Sequence, residues 1–243
     1  MTTENIFIGL DIGSSKICAS ICEVKPNLSL KLLGTGTSVA PNTAEGSPDY
    51  AQQLKAAIQK AIHQAKDESG VSPNKIFVTL PSLELEFIHH NGLLISKSES
   101  GQITAADKEE CIRRSKNIAC SSEKILLHAI ALNFYVEDTL VENPVGVFGR
   151  RLSVQSHLIF AKKNILNTLV EILKSFNLFI NGIMFDGLAL IETLLSPKEQ
   201  QQGAIIVDFG GSSTKLSFVK HKTIHKSLVI PVGSDIITKD IAT

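Results

Sequence analysis

The 243-residue chain reads as an α/β protein with a small α+β unit inserted into its first part. Three observations predict this. The opening runs strand, strand, strand, helix, strand. The stretch 84–161 has a different texture, and from residue 203 the strand-turn-strand-strand opening begins again. Hydrophobic residues are 43% and charged residues 20%, a balance that supplies a core and argues against disorder. Charge is balanced at 24 basic and 24 acidic residues, with no lysine- or arginine-rich block, so no nucleic-acid partner is expected.

Asn5 to Asp11 is a nearly continuous apolar run, as in a strand covered on both faces. Lys16 to Val24 and Leu28 to Thr35 follow around the turn Lys25-Pro26-Asn27, and such short connections predict antiparallel neighbours. Ser47-Pro48-Asp49 is a helix start, with serine as cap and proline at the first position. Leu54, Ala57, Ile58, Ala61, Ile62 and Ala65 then recur at helical spacing until Gly70, and Lys75 to Leu80 reads as a strand.

The inserted unit begins with a strand from Leu85 to Ile95 and a polar turn from Ser96 to Gln102. A helix from Thr104 carries a capping box in which Asp107 stands for the usual glutamate. Strands Lys124 to Val136 and Arg151 to Phe160 flank a Pro/Gly-bearing loop at Pro144 to Gly149. Helical Lys163 to Phe176, the run Leu178 to Phe185 and the helix Gly187 to Leu195 return to the first fold, and polar Ser196 to Gln202 is the linker candidate. Strands Gly203 to Asp208, Thr214 to Lys220 and Thr223 to Pro231 precede a helix beginning near Gly233. The expected division is 1–83 with 162–196, an insert at 84–161, and a second subdomain begun at 197–243.

Cys18, Cys22, Cys111 and Cys120 form no Cys-x-x-Cys pair, and the N-terminus lacks a secretion signal, so reduced thiols in the cytoplasm are expected. No run approaches the ~18 apolar residues of a membrane span, so any membrane contact is expected to be peripheral or borrowed from elsewhere.

The chemistry is concentrated in two near copies of one device. Asp11-Ile12-Gly13-Ser14-Ser15-Lys16 follows an apolar strand, and Asp208-Phe209-Gly210-Gly211-Ser212-Ser213-Thr214 does so 197 residues later. One copy describes an ordinary hairpin turn; two predict paired half-sites on one phosphate chain. Glycine lets backbone amides approach phosphate and curl into a nest. Ser14, Ser15, Ser213 and Thr214 offer hydroxyls, and Lys16 a point charge. Asp11 and Asp208 sit at strand ends, where they are expected to hold magnesium through its water shell. Neither a Walker loop nor a dinucleotide fingerprint is present.

The run Ile8 to Lys16, the run Val207 to Thr214, and Ile230-Pro231-Val232-Gly233-Ser234-Asp235 resemble the ATPase motifs of the FtsA family of bacterial cell-division proteins. Asn143-Pro144-Val145-Gly146 with Gly149-Arg150-Arg151-Leu152 resembles a further stretch of that family, so the likeness runs along essentially the whole chain. It implies an actin-like (ribonuclease H-like) ATPase fold. It also implies ATP and magnesium between the halves, with Gly13, Ser14, Ser15, Lys16, Gly210, Gly211, Ser212, Ser213, Thr214 and Gly233 at the nucleotide and Asp11 and Asp208 at the metal. Further implications are weak hydrolysis at most, self-association into filaments, division partners docking on 84–161, and linkage of the tubulin-like FtsZ ring to the cytoplasmic face of the membrane through a C-terminal helix.

Several positions depart from that pattern. Ser212 stands where a third glycine is usual and Lys215 where an acid follows, which puts hydrolysis most in question. Asp186-Gly187-Leu188-Ala189 stands for Glu-Pro-Leu-Ala. The adenosine-contacting segments and membrane helix are not among the 243 residues, so a fragment or a reduced relative is expected.

Other residues have plainer readings. His89 and His90 face opposite sides of a strand, as surface and core. Cys18 and Cys22 share a face as small buried hydrophobes, His221 and His225 are exposed at a turn, and the pairs Arg113-Arg114 and Arg150-Arg151 are solvated. Asp186 and Glu192 are candidates for water-positioning acids at the cleft. The alternatives are an actin-fold kinase of small molecules, an interaction module that has lost nucleotide, and an actin-like pilus-assembly protein.

Overall fold

In the computed structural model, residues 5–41, 48–80, 85–118 and 121–242 are described. The expected cap Ser47, the boundary residue Glu84, Cys120 and Thr243 lie outside them. Strands β1 (Ile6–Ile12), β2 (Lys16–Val24) and β3 (Leu30–Val39) form an antiparallel meander, followed by α1 (Pro48–Ser69) and β4 (Lys75–Thr79). Next come β5 (Leu85–Ile95), α2 (Ala105–Ser115), β6 (Lys124–Val136), β7 (Thr139–Val141) and β8 (Arg151–Lys162). The chain continues through α3 (Lys163–Ser175), β9 (Phe179–Met184), α4 (Asp186–Leu194) and α5 (Pro197–Gln202). Last are β10 (Ala204–Phe209), β11 (Thr214–Lys220), β12 (Thr223–Ile230) and α6 (Ser234–Ile241).

Three sheets result, ordered β3-β2-β1-β4-β9, β5-β8-β6-β7 and β10-β11-β12. The first is mixed: β4 pairs parallel with both β1 and β9. Between β4 and β9 the chain leaves to build the second sheet, then returns through α3. Alternation places Ile6, Ile8, Leu10 and Ile12 of β1 with Ile17, Ala19 and Ile21 of β2 on one buried face. Leu54, Ile58, Ala61, Ile62 and Ala65 of α1 and Leu169, Ile172 and Leu173 of α3 complete that core.

Close helix-on-sheet contact explains two glycines. A Cβ on Gly36 would lie 2.0 Å from the Ala61 carbonyl oxygen of α1, and one on Gly92 would lie 2.3 Å from that of Cys111 in α2. The same solution therefore seats both helices. A third core joins the sheets, with Ile159 of β8, Phe185, Ile191 of α4, Ile206, Val219 and Ile224 packed together. On the other face of β10, Ile205, Val207 and Phe209 are exposed.

Four local expectations are corrected. Leu28 adopts a left-handed backbone (φ 63°) and donates its N–H to the Lys25 carbonyl at 2.8 Å. It therefore closes the turn, and β3 starts two residues beyond the expected position. Ser196 to Gln202, read as an irregular polar stretch, is helical: Ser196 and Glu199 form a full capping box for α5. Strand β7 was unexpected because its hairpin turn uses Glu137 and Asp138, both with positive φ, in place of the usual Asn-Gly signal. Cys18 and Cys22 are half-buried, since they sit on the sheet face away from α1; among described cysteines only Cys111 is fully buried.

Candidate functional site

The first corner joins β1 to β2. Ile12 pairs with Ile17, leaving four connecting residues in which the Gly13 N–H donates to the Lys16 carbonyl at 3.0 Å. A Cβ on Gly13 would sit 2.9 Å from that oxygen, so the turn requires glycine. The Ser15 carbonyl accepts from the Ala40 N–H at 3.1 Å, fixing the corner against the end of β3. Ser14, Ser15 and Lys16 are exposed. Asp11 accepts a hydrogen bond from the Thr79 hydroxyl at 2.6 Å, where β4 ends beside β1.

The second corner has the same geometry. Phe209 pairs with Thr214, the Gly210 N–H donates to the Ser213 carbonyl at 2.9 Å, and a Cβ on Gly210 would lie 3.0 Å from that oxygen. Its surroundings differ. Ser234 and Asp235, opening α6, donate their N–H groups to the Gly210 and Gly211 carbonyls at 2.9 and 3.0 Å. Gly233 is required where α6 arrives, because its Cβ would lie 2.2 Å from the Gly211 oxygen. The Thr214 hydroxyl donates to the Val232 carbonyl at 2.7 Å, and Ser213 is buried.

The corners face each other. The Ser212 N–H donates to the Ser14 hydroxyl at 3.1 Å, and a Cβ on Gly211 would stand 3.1 Å from that of Ser15. Sites far apart in sequence thus form one seam, with Ser14, Ser15, Gly211 and Ser212 at its lips.

Beneath the seam lies a charged knot. The Lys215 ammonium, from β11, pairs with Asp186 at the start of α4 and with Asp208 at the end of β10, the latter at 2.7 Å. Side-chain exposure is 17% for Lys215 and 12% for Asp186, so this is a largely buried ion pair. Burial raises the Asp186 carboxyl above its ordinary value; Lys215 opposes the shift, and Asp208 and Asp11 reinforce it. Burial alone would pull Lys215 down, but the two carboxylates hold it above the usual lysine range. Gly187 also explains its place here. Its N–H donates to Asp186 at 2.8 Å, a bond that proline could not make.

Of the residues expected at a nucleotide, Ser14, Ser15, Gly211 and Ser212 meet across the seam, Gly13, Lys16, Gly210, Ser213 and Thr214 belong to the two turns, and Gly233 packs against Gly211. Glu192 does not join the knot, being exposed farther along α4. Thr79 carried no sequence signal; Asp235 closed the resembled run Ile230 to Asp235, and Lys215 stood out as a departure from the resembled pattern. The expected magnesium ligands test less well. Magnesium takes oxygen ligands at ~2.0–2.1 Å and retains water. Asp208 already holds an ammonium, Asp11 holds a hydroxyl, and among the described residues no cluster of three or more His, Cys, Asp or Glu is arranged around a metal position. As arranged, these residues do not fit the ion.

Comparison with known proteins follows the same lines. Residues 84–160 match the model of the SHS2 domain inserted in FtsA. The chain is 26% identical over 241 residues to cell division protein FtsA of Buchnera aphidicola subsp. Schizaphis graminum, covering 98% of this chain and 57% of that protein. To the Borreliella burgdorferi FtsA it is 27% identical over 241 residues, covering 99% and 58%. The chain thus spans a little over half the length of these curated relatives. Among solved structures, a PilM-PilN type IV pilus biogenesis complex superposes with a TM-score of 0.68 at 18% identity, covering 97% of this chain and 64% of that one. This likeness concerns the fold alone. The architecture is the actin-like α/β fold with an inserted α+β unit; residues 84–160 match the SHS2 domain inserted in FtsA, and the chain as a whole is similar in sequence to FtsA cell-division proteins.

Proposed function

We propose that this chain supplies the nucleotide-responsive part of an FtsA-type division protein, in which the polyphosphate of ATP lies along the seam between the two glycine corners. The observation that carries this reading is the Ser212 N–H to Ser14 hydroxyl contact, because it brings duplicated turns from two sheets onto one line. In the open seam the amides of Gly211 and Ser212, the hydroxyls of Ser14 and Ser15 and the ammonium of Lys16 are the groups offered to phosphate oxygens. Closing the seam on a ligand changes the angle between the first and third sheets, a hinge-type switch.

On this reading the first and third sheets belong to separate subdomains, and the unit at 84–161 is where neighbouring subunits and other division proteins dock. Self-association into filaments and linkage of a tubulin-like FtsZ ring are the roles the family resemblance suggests. Attachment to a membrane would fall to a segment outside these residues; among those described, no helix is long and apolar enough to cross one. Titration with a fluorescent ATP analogue tests the seam. Binding should weaken at least tenfold in Gly13→Val, because the added side chain meets the Lys16 carbonyl. Unchanged binding by the folded variant would refute the assignment.

A further inference from the structure

The knot under the seam has a cation built into it. The Lys215 Nζ touches carboxylates from two elements, Asp186 of α4 and Asp208 of β10, and Asp11 of β1 is close enough to act on Asp186 electrostatically. Carboxylate oxygens are the donors a hydrated divalent ion takes, although the described residues hold no ready-made set of three acids around one position. Here the space between two of them is filled by an ammonium that is itself largely buried. A lysine reaching such a position from a neighbouring strand is fixed at both ends, by its backbone in β11 and by its paired head. Asp208 and Lys215 are directly opposed in the β10–β11 register, so the placement follows from the hairpin itself.

We propose that Lys215 is a resident cation that takes the place of the divalent metal at this cleft, so that the chain has no metal site of its own and any polyphosphate entering the seam does so as the metal-free anion. The inference rests on the reading of the seam given above, but it is tested with the metal alone. Loss of ATP binding would therefore sink that reading without deciding this one.

The experiment follows Mn²⁺ binding to the whole chain by electron paramagnetic resonance, with thermal melts in chelator and in Mn²⁺ alongside. The native chain should leave Mn²⁺ free. Lys215→Met opens the carboxylates and should bind Mn²⁺ at least tenfold more tightly, with its melting temperature restored by the metal. Adding Asp208→Asn to that variant should remove the gain. A lysine that served only as a structural ion pair would show no such rescue. Lys215→Gln, which keeps a polar head between the carboxylates, serves if the methionine variant does not fold. Stoichiometric Mn²⁺ binding by the native chain that is lost in Asp208→Asn overturns the proposal, as does a folded Lys215 variant with no gain.

Discussion

The two corners share one hydrogen-bond pattern and live in opposite surroundings. In the first, Gly13 closes the turn and Ser14, Ser15 and Lys16 project into solvent. In the second, Gly210 closes the same turn, but Gly211 and Ser213 are buried and the carbonyls of Gly210 and Gly211 are occupied by the start of α6. The acids diverge likewise, Asp11 accepting a neutral hydroxyl and Asp208 an ammonium. A duplicated sequence device thus fixes the backbone of a turn, while the packing around each copy decides what its polar groups can do. The first corner keeps its serine and lysine side chains exposed, whereas the second is packed under the start of α6.

The largest expected effect comes from Lys215→Met. Removing one partner of a buried ion pair leaves carboxylates uncompensated and should cost about 3–5 kcal/mol of unfolding free energy in metal-free buffer, read by denaturant titration. Removing Lys16 to alanine should change stability by less than about 0.5 kcal/mol, because that lysine is exposed. Equal losses for the two lysines would break the contrast between the corners.

Gly233→Ala should follow, at about 1–3 kcal/mol, since its Cβ meets the backbone oxygen of Gly211 and α6 must shift. Gly13→Ala and Gly210→Ala form a matched pair. Their new Cβ atoms lie 2.9 and 3.0 Å from the carbonyl oxygens across each turn, so their costs should agree within about 0.5 kcal/mol. Markedly unequal costs would show that the turns are alike in outline only.

Acid sensitivity should arise elsewhere, where β8 meets β12. His157 is buried with its Nδ1 lacking a hydrogen-bond partner among the described residues, and its Nε2 lies 3.2 Å from the Ser227 hydroxyl. Burial, with His89 and His225 nearby, pushes it down to about 4. The unfolded chain then binds the proton more readily, so stability is full above about pH 6.5 and declines as pH falls toward 4, by on the order of 2 kcal/mol. His157→Gln should flatten that decline in melts across pH. Ser14→Ala should cost about 0.5–1 kcal/mol for one exposed hydrogen bond across the seam, above the change expected for Lys16→Ala.

Much of this was legible in the chain. Alternation and helical spacing placed the first sheet, α1, α2 and the β10–β12 series, because their apolar faces are unbroken. The Thr104 capping box was readable because both partners lie within one turn. Features set by contacts distant in sequence were not readable. Leu28 and the Glu137-Asp138 turn take left-handed conformations without glycine or asparagine, so their cost is met by the strands they join. The site divides the same way. The glycines and hydroxyls announced themselves by repetition, whereas the Lys215 pairing with Asp186 joins two elements that no spacing rule connects.

Hydrogen exchange at single-residue resolution, with and without ATP, measures the central claim most directly. Amides of Gly13 to Lys16 and of Gly210 to Thr214 should slow together as nucleotide is added, with one midpoint for both corners. Slowing at one corner alone, or at neither while ATP is bound elsewhere, would contradict a ligand shared across the seam.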